Sequence, residues 1–130
     1  MPDPATDELL ALNNRLLASI ILKDWKTYQE LCDHSLTAFE PEAKGQLVEG
    51  LEFHQWYFNL AGNPGHHNTT MAAPRVRLMG DVAVVAYVRL TQRVQPDGTP
   101  VTSAFEETRV WQRQDGRWQH VHFHRSAAGG

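Results

Sequence analysis

The spacing of apolar residues changes once along the chain, and this change constrains the fold more than any other feature. Up to position 60 apolar residues recur with the period of helices, whereas beyond position 65 apolar and polar residues alternate as in strands. Helices followed by a run of strands are typical of an α+β domain. The sequence therefore predicts N-terminal helices packed on one face of an antiparallel β-sheet.

The predicted elements form one domain over residues 1–126, with a loose tail at 127–130. Asp3 and Pro4 suit the start of the first helix. The predicted helices cover 3–22, 24–32 and 51–60, and the predicted strands cover 35–40, 67–73, 75–79, 82–94, 103–113 and 118–125.

Composition excludes several functional classes. The 130 residues suffice for a buried core, and Cys32 as the single cysteine excludes an internal disulfide. The formal net charge of −3 gives no electrostatic case for nucleic acid or membranes. The acidic N-terminus does not suit a secretory signal, and no apolar run is long enough to span a bilayer. We expect a cytoplasmic protein with no cofactor.

Two turns predict which side chains share a face of the sheet. Residues 95–99 suit a three-residue loop with Gly98 in the left-handed conformation, and 114–116 suit the same loop, which would pair Arg113 with Arg117. A two-residue loop at either turn would flip one strand. With three-residue loops, one face carries Tyr87, Arg89, Glu107, Arg109, Trp111, Val121, Phe123 and Arg125.

This face combines aromatic side chains with charged ones. Its aromatic residues predict that helices cover it, and arginines beneath helices need partners because an unpaired buried charge is costly. Glu107 neutralises only one arginine. Surplus guanidinium favours a small anion, especially a carboxylate. We therefore predict a ligand pocket formed by Arg89, Arg109, Arg125, His54, Tyr87 and Glu107.

The opposite face is apolar at its centre and would be left bare by the helices. Monomers seldom expose so large an apolar patch, which predicts that the protein associates with itself. The predicted interface comprises Val84, Ala86, Val88, Leu90, Val110, His120, His122 and His124.

The histidines do not predict a metal site. Alternate residues on one strand lie about 6.6–6.8 Å apart, too far for His120, His122 and His124 to share one ion. His54 lies on the aromatic third helix, and the sequence predicts either a core position or a pocket position for its side chain.

An enzyme is the alternative function. Glu107 or His54 would be the base, and Tyr87 with an arginine would stabilise an oxyanion. A neighbouring arginine would lower the pKa of Glu107 and weaken it as a base, and we assign no catalytic residue.

Several segments resemble the association (hub) domain of calcium/calmodulin-dependent protein kinase type II. The similar runs are LTAFEPEA at 36–43, LVEG at 47–50, AYVRLTQ at 86–92, EETRVW at 106–111, DGRW at 115–118 and VHFHRS at 121–126. This family belongs to the nuclear-transport-factor-2-like (SnoaL-like) superfamily. Its fold is a cone, in which a strongly curved antiparallel sheet wraps around helices.

The resemblance implies dimers that assemble into larger rings, and a pocket for small carboxylates that contains Arg89, Arg109, Arg125 and His54. The superfamily also includes enzymes of the ketosteroid-isomerase and polyketide-cyclase types. The segment 60–68 is shorter than the family's corresponding loop. Because Met1 lies just before the first helix, we expect a free-standing hub-like domain without a kinase domain.

Overall fold

The computed structural model describes residues 3–129 and contains three α-helices, a short 3-10 helix and six β-strands. The helices are α1 (Pro4–Ile21), α2 (Trp25–Leu31), α3 (Glu52–Phe58) and the 3-10 helix Pro41–Ala43. The strands are β1 (Cys32–Phe39), β2 (Val48–Glu49), β3 (His67–Met79), β4 (Val82–Val94), β5 (Pro100–Gln114) and β6 (Arg117–Ala127).

Helix α1 packs its apolar stripe against the sheet. The Asp3 side chain accepts a hydrogen bond from the Ala5 amide at 2.9 Å, and Pro4 starts the helix as predicted. Leu9 and Leu16 on its inner face are fully buried. The fully buried Trp111 of β5 donates from Nε1 to Oδ1 of Asn13 at 3.0 Å, which joins the helix to the sheet.

The six strands form one sheet in the order β2-β1-β6-β5-β4-β3. The pairs are antiparallel as predicted, except that β1 runs parallel to β6. The two strands predicted at 67–73 and 75–79 are one strand, β3, with an irregularity between Ala72 and Arg75. Ala73 has a φ of 49° there, and such irregularities bend the strand and help to curve the sheet.

The first hairpin confirms the predicted loop. The Gln95 amide donates to the Thr99 carbonyl at 2.9 Å, the Gly98 amide donates to Gln95 at 2.8 Å, and Gly98 has a φ of 88°. Tyr87 therefore pairs with Glu107, as the predicted register requires.

The second hairpin differs from the prediction. Gln114 pairs with Arg117, so the loop has two residues, Asp115 and Gly116, both with positive φ. A register shift between Val110 and Trp111 then restores the predicted faces of Phe123 and Arg125. Arg109 pairs with Phe123 rather than with Val121, which is half-buried at the bulge.

The two-residue loop also corrects the placement of His120. This histidine was expected on the outer face of the sheet, but it pairs with Trp111 and is fully buried in the core. The two-residue loop turns the start of β6 over, and the bulge reverses the turn only beyond His120. An interface position for His120 is therefore wrong.

The two faces of the sheet differ in burial. The inner face, under the helices, carries the buried Tyr87, Glu107, Trp111 and Phe123. On the outer face Val84, Ala86, Val88, Leu90 and Val110 are only partly buried.

Within residues 3–129 no helix is long and apolar enough to cross a membrane, and no group of three His, Cys, Asp or Glu side chains has metal-binding geometry.

The loose tail was predicted to begin at residue 127, which is too early because Ala127 still belongs to β6. The Ala128 amide also donates to the Ala104 carbonyl at 3.0 Å, which ties the chain to β5 one residue further on. Met1, Pro2 and Gly130, which the predicted domain and tail include, lie outside the described residues.

Candidate binding site

A cavity of about 410 Å³ opens between the helices and the inner face of the sheet. Apolar and aromatic side chains from α1, α2, α3, β5 and β6 form one part of its wall, and charged side chains form the rest. The lining residues central to the site are Tyr28, Glu40, Glu42, His54, Arg89, Arg93, Phe105, Arg109, Phe123 and Arg125.

The three predicted arginines converge on one buried carboxylate. Glu107 Oε1 accepts from Arg109 Nη2 at 3.0 Å, and Glu107 Oε2 lies 3.0 Å from Arg89 Nε and 3.7 Å from Arg125 Nε. The Glu107 side chain has no exposed surface. The predicted grouping of Arg89, Arg109, Arg125 and Glu107 is therefore present.

Arg109 is held from three sides. Its Nε donates to the Tyr87 hydroxyl at 2.9 Å, its Nη2 donates to Glu107, and its Nη1 lies 3.4 Å from His120 Nε2. The guanidinium also stacks on Phe123, with its central carbon 4.4 Å from the ring centroid. These contacts fix the orientation of this arginine at the floor of the cavity.

Tyr87 and Glu107 do not line the cavity, although both were predicted to bind a ligand. They lie behind the arginines, where the Tyr87 hydroxyl donates to Glu107 Oε1 at 2.6 Å. Alternation along the strands keeps both side chains on the inner face, but the packing of the helices encloses them. Their contacts with the arginines position the guanidinium groups.

The charges around Glu107 also decide its acidity. Burial would raise its pKa, but the neighbouring Arg109 and Arg89 and the hydrogen bond from Tyr87 hold the pKa below its ordinary value. Burial raises the pKa of Tyr87. An enclosed carboxylate with a lowered pKa is a weak base, which disfavours the predicted alternative role of Glu107 in catalysis.

Two acidic residues of the cavity were not predicted. Both Glu42 carboxylate oxygens accept from Arg125 Nη1 at 2.8 Å, and Glu40 Oε2 lies 2.9 Å from His54 Nε2. Burial would raise the pKa of Glu42, and Arg125 more than offsets it. Both acids lie in the segment after β1, which has no periodic pattern that could have indicated their direction.

Arg89 is the least committed of the three arginines. Its Nε is close to Glu107 but the N–H is not aligned for a hydrogen bond, and Arg89 donates no hydrogen bond to the residues described at 3–129. Its side chain is 13% exposed and lines the cavity. Its terminal N–H groups therefore have no acceptor among the described residues.

His54 lines the cavity and is also nearly buried, so it combines the core position and the pocket position that the sequence left open. It is 7% exposed and packs against Phe123, with ring centroids 5.4 Å apart. Its Nε2 faces Glu40, and its Nδ1 is buried without a partner among the described residues.

The other predicted interface histidines lie on the outer face. His122 Nδ1 is 2.7 Å from the Thr37 hydroxyl, and both His122 and His124 pack against Phe39 of β1. Burial and the neighbouring His124 lower the pKa of His122. Phe39 is 40% exposed and extends the apolar surface of this face.

A six-stranded sheet curved around helices, with a charged cavity inside, defines the class of cone-shaped α+β domains. The family model of the calcium/calmodulin dependent protein kinase II association domain matches residues 5–129. The chain therefore belongs to the calcium/calmodulin-dependent protein kinase II association domain family, as the sequence resemblance predicted.

Individual relatives agree with this assignment. The chain is 47% identical over 124 residues to the calcium/calmodulin-dependent protein kinase type II subunit delta of Oryctolagus cuniculus, covering 93% of this chain and 23% of that protein. The chain thus spans about a quarter of the length of this curated relative.

Solved structures show the same fold. The association domain of C. elegans CaMKII superposes with a TM-score of 0.90 at 46% identity, covering 95% of each chain. The CaMKII hub homology domain of Chlamydamonas reinhardtii superposes with a TM-score of 0.89 at 51% identity, covering 95% of this chain and 98% of that one. A Streptomyces avermitilis protein of the NTF2-like family, 16% identical, covers both chains fully with a TM-score of 0.80, which shows the shared NTF2-like fold.

Proposed function

We propose that this protein is a self-associating hub domain whose cavity binds a small carboxylate. The outer face of the sheet is the observation that carries the self-association. Its valine, alanine and leucine side chains stay partly exposed on a single subunit, in a contiguous patch of the kind that monomers seldom leave in water. The relatives are described as association and hub domains, which supports the same function.

A charge on the outer face tests self-association. We expect Val110→Asp, in the outer-face patch on β5, to lower the mass measured by sedimentation or light scattering, because it would bury a carboxylate in an apolar interface. Val101→Asp is the matched control, since Val101 lies at the far end of the same strand and is already 39% exposed. A monomeric wild-type protein at high concentration would contradict the proposal, and so would equal masses for the two variants.

The cavity supports the second half of the proposal. Three acids lie near the three arginines: Glu107 is enclosed behind the wall, Glu42 pairs with Arg125, and Glu40 pairs with His54 instead. Positive charge with free N–H groups is therefore presented to the cavity, mainly by Arg89. Phe105 and Phe123 offer apolar surface beside it, which suits a carboxylate with a short aliphatic chain.

Butyrate is a suitable probe for this site, and 1-butanol is its uncharged counterpart. We expect butyrate to bind and 1-butanol not to, and we expect Arg89→Gln to weaken butyrate binding by about 1.5–3 kcal/mol, the range for a hydrogen bond to a charged group. Calorimetric or NMR titration measures both. Arg113→Gln is the control, because Arg113 is 41% exposed and does not line the cavity.

Two results would contradict the carboxylate site. One is equal binding of butyrate by the Arg89 and Arg113 variants, and the other is no binding by the wild type. Turnover of a carboxylate or oxo acid that is lost in His54→Ala would instead favour the enzyme, the second candidate, because His54 lines the cavity and is oriented by Glu40.

A further inference from the structure

His120 is a buried polar side chain that neither the apolar core nor self-association explains. It has no exposed surface, and its ring packs almost parallel to Phe123 with centroids 5.7 Å apart. An apolar side chain would fill such a position without the cost of burying two ring nitrogens. Both nitrogens instead face polar atoms, Nδ1 at 3.3 Å from Cys32 Sγ and Nε2 at 3.4 Å from Arg109 Nη1.

These two contacts fix the tautomer. A guanidinium can only donate, so Nε2 must accept from Arg109 and cannot carry a proton. Nδ1 therefore carries the proton and donates to the sulfur of Cys32. A doubly protonated ring would place an N–H and a positive charge directly against the guanidinium, so this geometry requires neutral His120.

The surroundings keep the histidine neutral from every side. The pKa of His120 is held well below its ordinary value, first by burial and then by the charge of Arg109 on β5. His54 on α3 and His122 on β6 lower it further. Burial raises the pKa of Cys32 to about 12, so this neighbour on β1 stays a neutral thiol. Burial also raises the pKa of Tyr28 on α2, which remains a neutral phenol.

We propose that neutral His120 is a positioning residue for Arg109, holding one edge of the guanidinium so that its remaining N–H groups face the cavity. Tyr87 fixes Nε and Glu107 fixes Nη2, and without His120 the Nη1 edge would have no partner among the described side chains. The inference rests on the proposed carboxylate site and adds the residue that aligns it. The contact also makes the alignment of Arg109 depend on pH, because protonation of His120 Nε2 in acid would turn that nitrogen from an acceptor into a donor.

Two amide variants separate the contacts of the ring. The amide of His120→Gln can reach the position of Nε2 and accept from Arg109, whereas the shorter amide of His120→Asn reaches only the position of Nδ1, near Cys32. We expect the side-chain NMR signals of Arg109 to keep their wild-type shifts and slow exchange in the Gln variant and to lose them in the Asn variant. We expect butyrate affinity to fall roughly fivefold in the Asn variant, as for one lost hydrogen bond, and to stay within about twofold in the Gln variant.

A pH series gives a readout that simple loss of packing would not move. The unfolded histidine takes up a proton below its ordinary pKa of 6.5 while the folded one does not, so stability is lost as the pH falls below 6.5. Between pH 6.5 and 5 the unfolding constant of the wild type should rise by up to about tenfold per pH unit more than that of His120→Gln, which retains every other titrating group.

The wild type alone also tests the inference if a variant fails to fold. Nitrogen shifts of His120 must show the proton on Nδ1 and no protonation at pH 6. A proton on Nε2, ordinary titration, or identical Arg109 signals in the Asn and Gln variants would overturn the positioning role. If these signatures hold and the wild type does not bind butyrate, the carboxylate site is wrong and the positioning of Arg109 stands.

Discussion

At the scale of single residues, one carboxylate organises the interior of the cone. Glu107 faces Arg89, Arg109 and Arg125 and accepts from Tyr87. Burying one negative charge among three positive ones is tolerable only because Glu42 lies against Arg125 and because Arg89 and Arg125 keep some contact with solvent. The cluster therefore depends on each of its members, and most of all on its only fully enclosed acid.

Replacing that acid should be costly. We expect Glu107→Gln to lower the free energy of unfolding by about 3–5 kcal/mol, because it leaves buried guanidinium groups without their counter-charge. Urea unfolding measures this change. Glu30→Gln is the control, because the Glu30 side chain is 52% exposed and its ion pair with Arg15 lies at the surface, where such pairs contribute at most about 1 kcal/mol.

The loss of stability in acid should report on the same carboxylate. The pKa of Glu107 is lower in the folded protein than its ordinary value of 4.5, so its contribution is present above pH 4.5 and lost as the pH falls through the folded pKa. The Gln variant should lack this part of the acid-induced loss. Parallel pH profiles of the two proteins would contradict the ionised state of Glu107.

At the scale of elements, two short loops show what the sequence could predict. The segment 95–99 contains a proline and a glycine at the positions that a three-residue loop needs, and its register is confirmed. The Asp115-Gly116 pair suits two loop types equally, and the wrong choice moved His120 to the other face. The bulge that returns Phe123 and Arg125 to their predicted face leaves no sequence signal, because it depends on tertiary packing around Trp111.

The two-residue loop predicts a specific order of stability. Asp115 has a φ of 52°, a left-handed conformation in which a Cβ is unfavourable. We expect Asp115→Gly to be at least as stable as Asp115→Ala, with a difference of about 1 kcal/mol in the free energy of unfolding. In a three-residue loop this residue would have negative φ, and alanine would be the more stable variant. Urea unfolding of the pair decides between the loops.

At the scale of the whole molecule, Arg125 joins the arginine cluster only because a bulge offsets the wrongly predicted loop. The α+β architecture and the shared face of Arg89 and Arg109 could be predicted, because they depend on local periodicity and on the first hairpin. Three features could not. Glu40 and Glu42 reach the cavity from an irregular segment, β2 has only two residues, and the parallel pairing of β1 with β6 joins positions far apart in sequence. Each of these depends on tertiary contacts that no local pattern records.

The pairing of β1 with β6 also orders the events of folding. Cys32 and His120 are partners across this pair, so the sheet cannot close until β6 has been synthesised. The β3-β4-β5 meander is made of hairpins and can assemble earlier, since contacts between near neighbours form faster than those between distant segments. Phe123 and Arg125 arrive with β6, the last strand of the sheet, so a nascent chain that stops short of this strand has neither the aromatic wall nor the third guanidinium of the cavity.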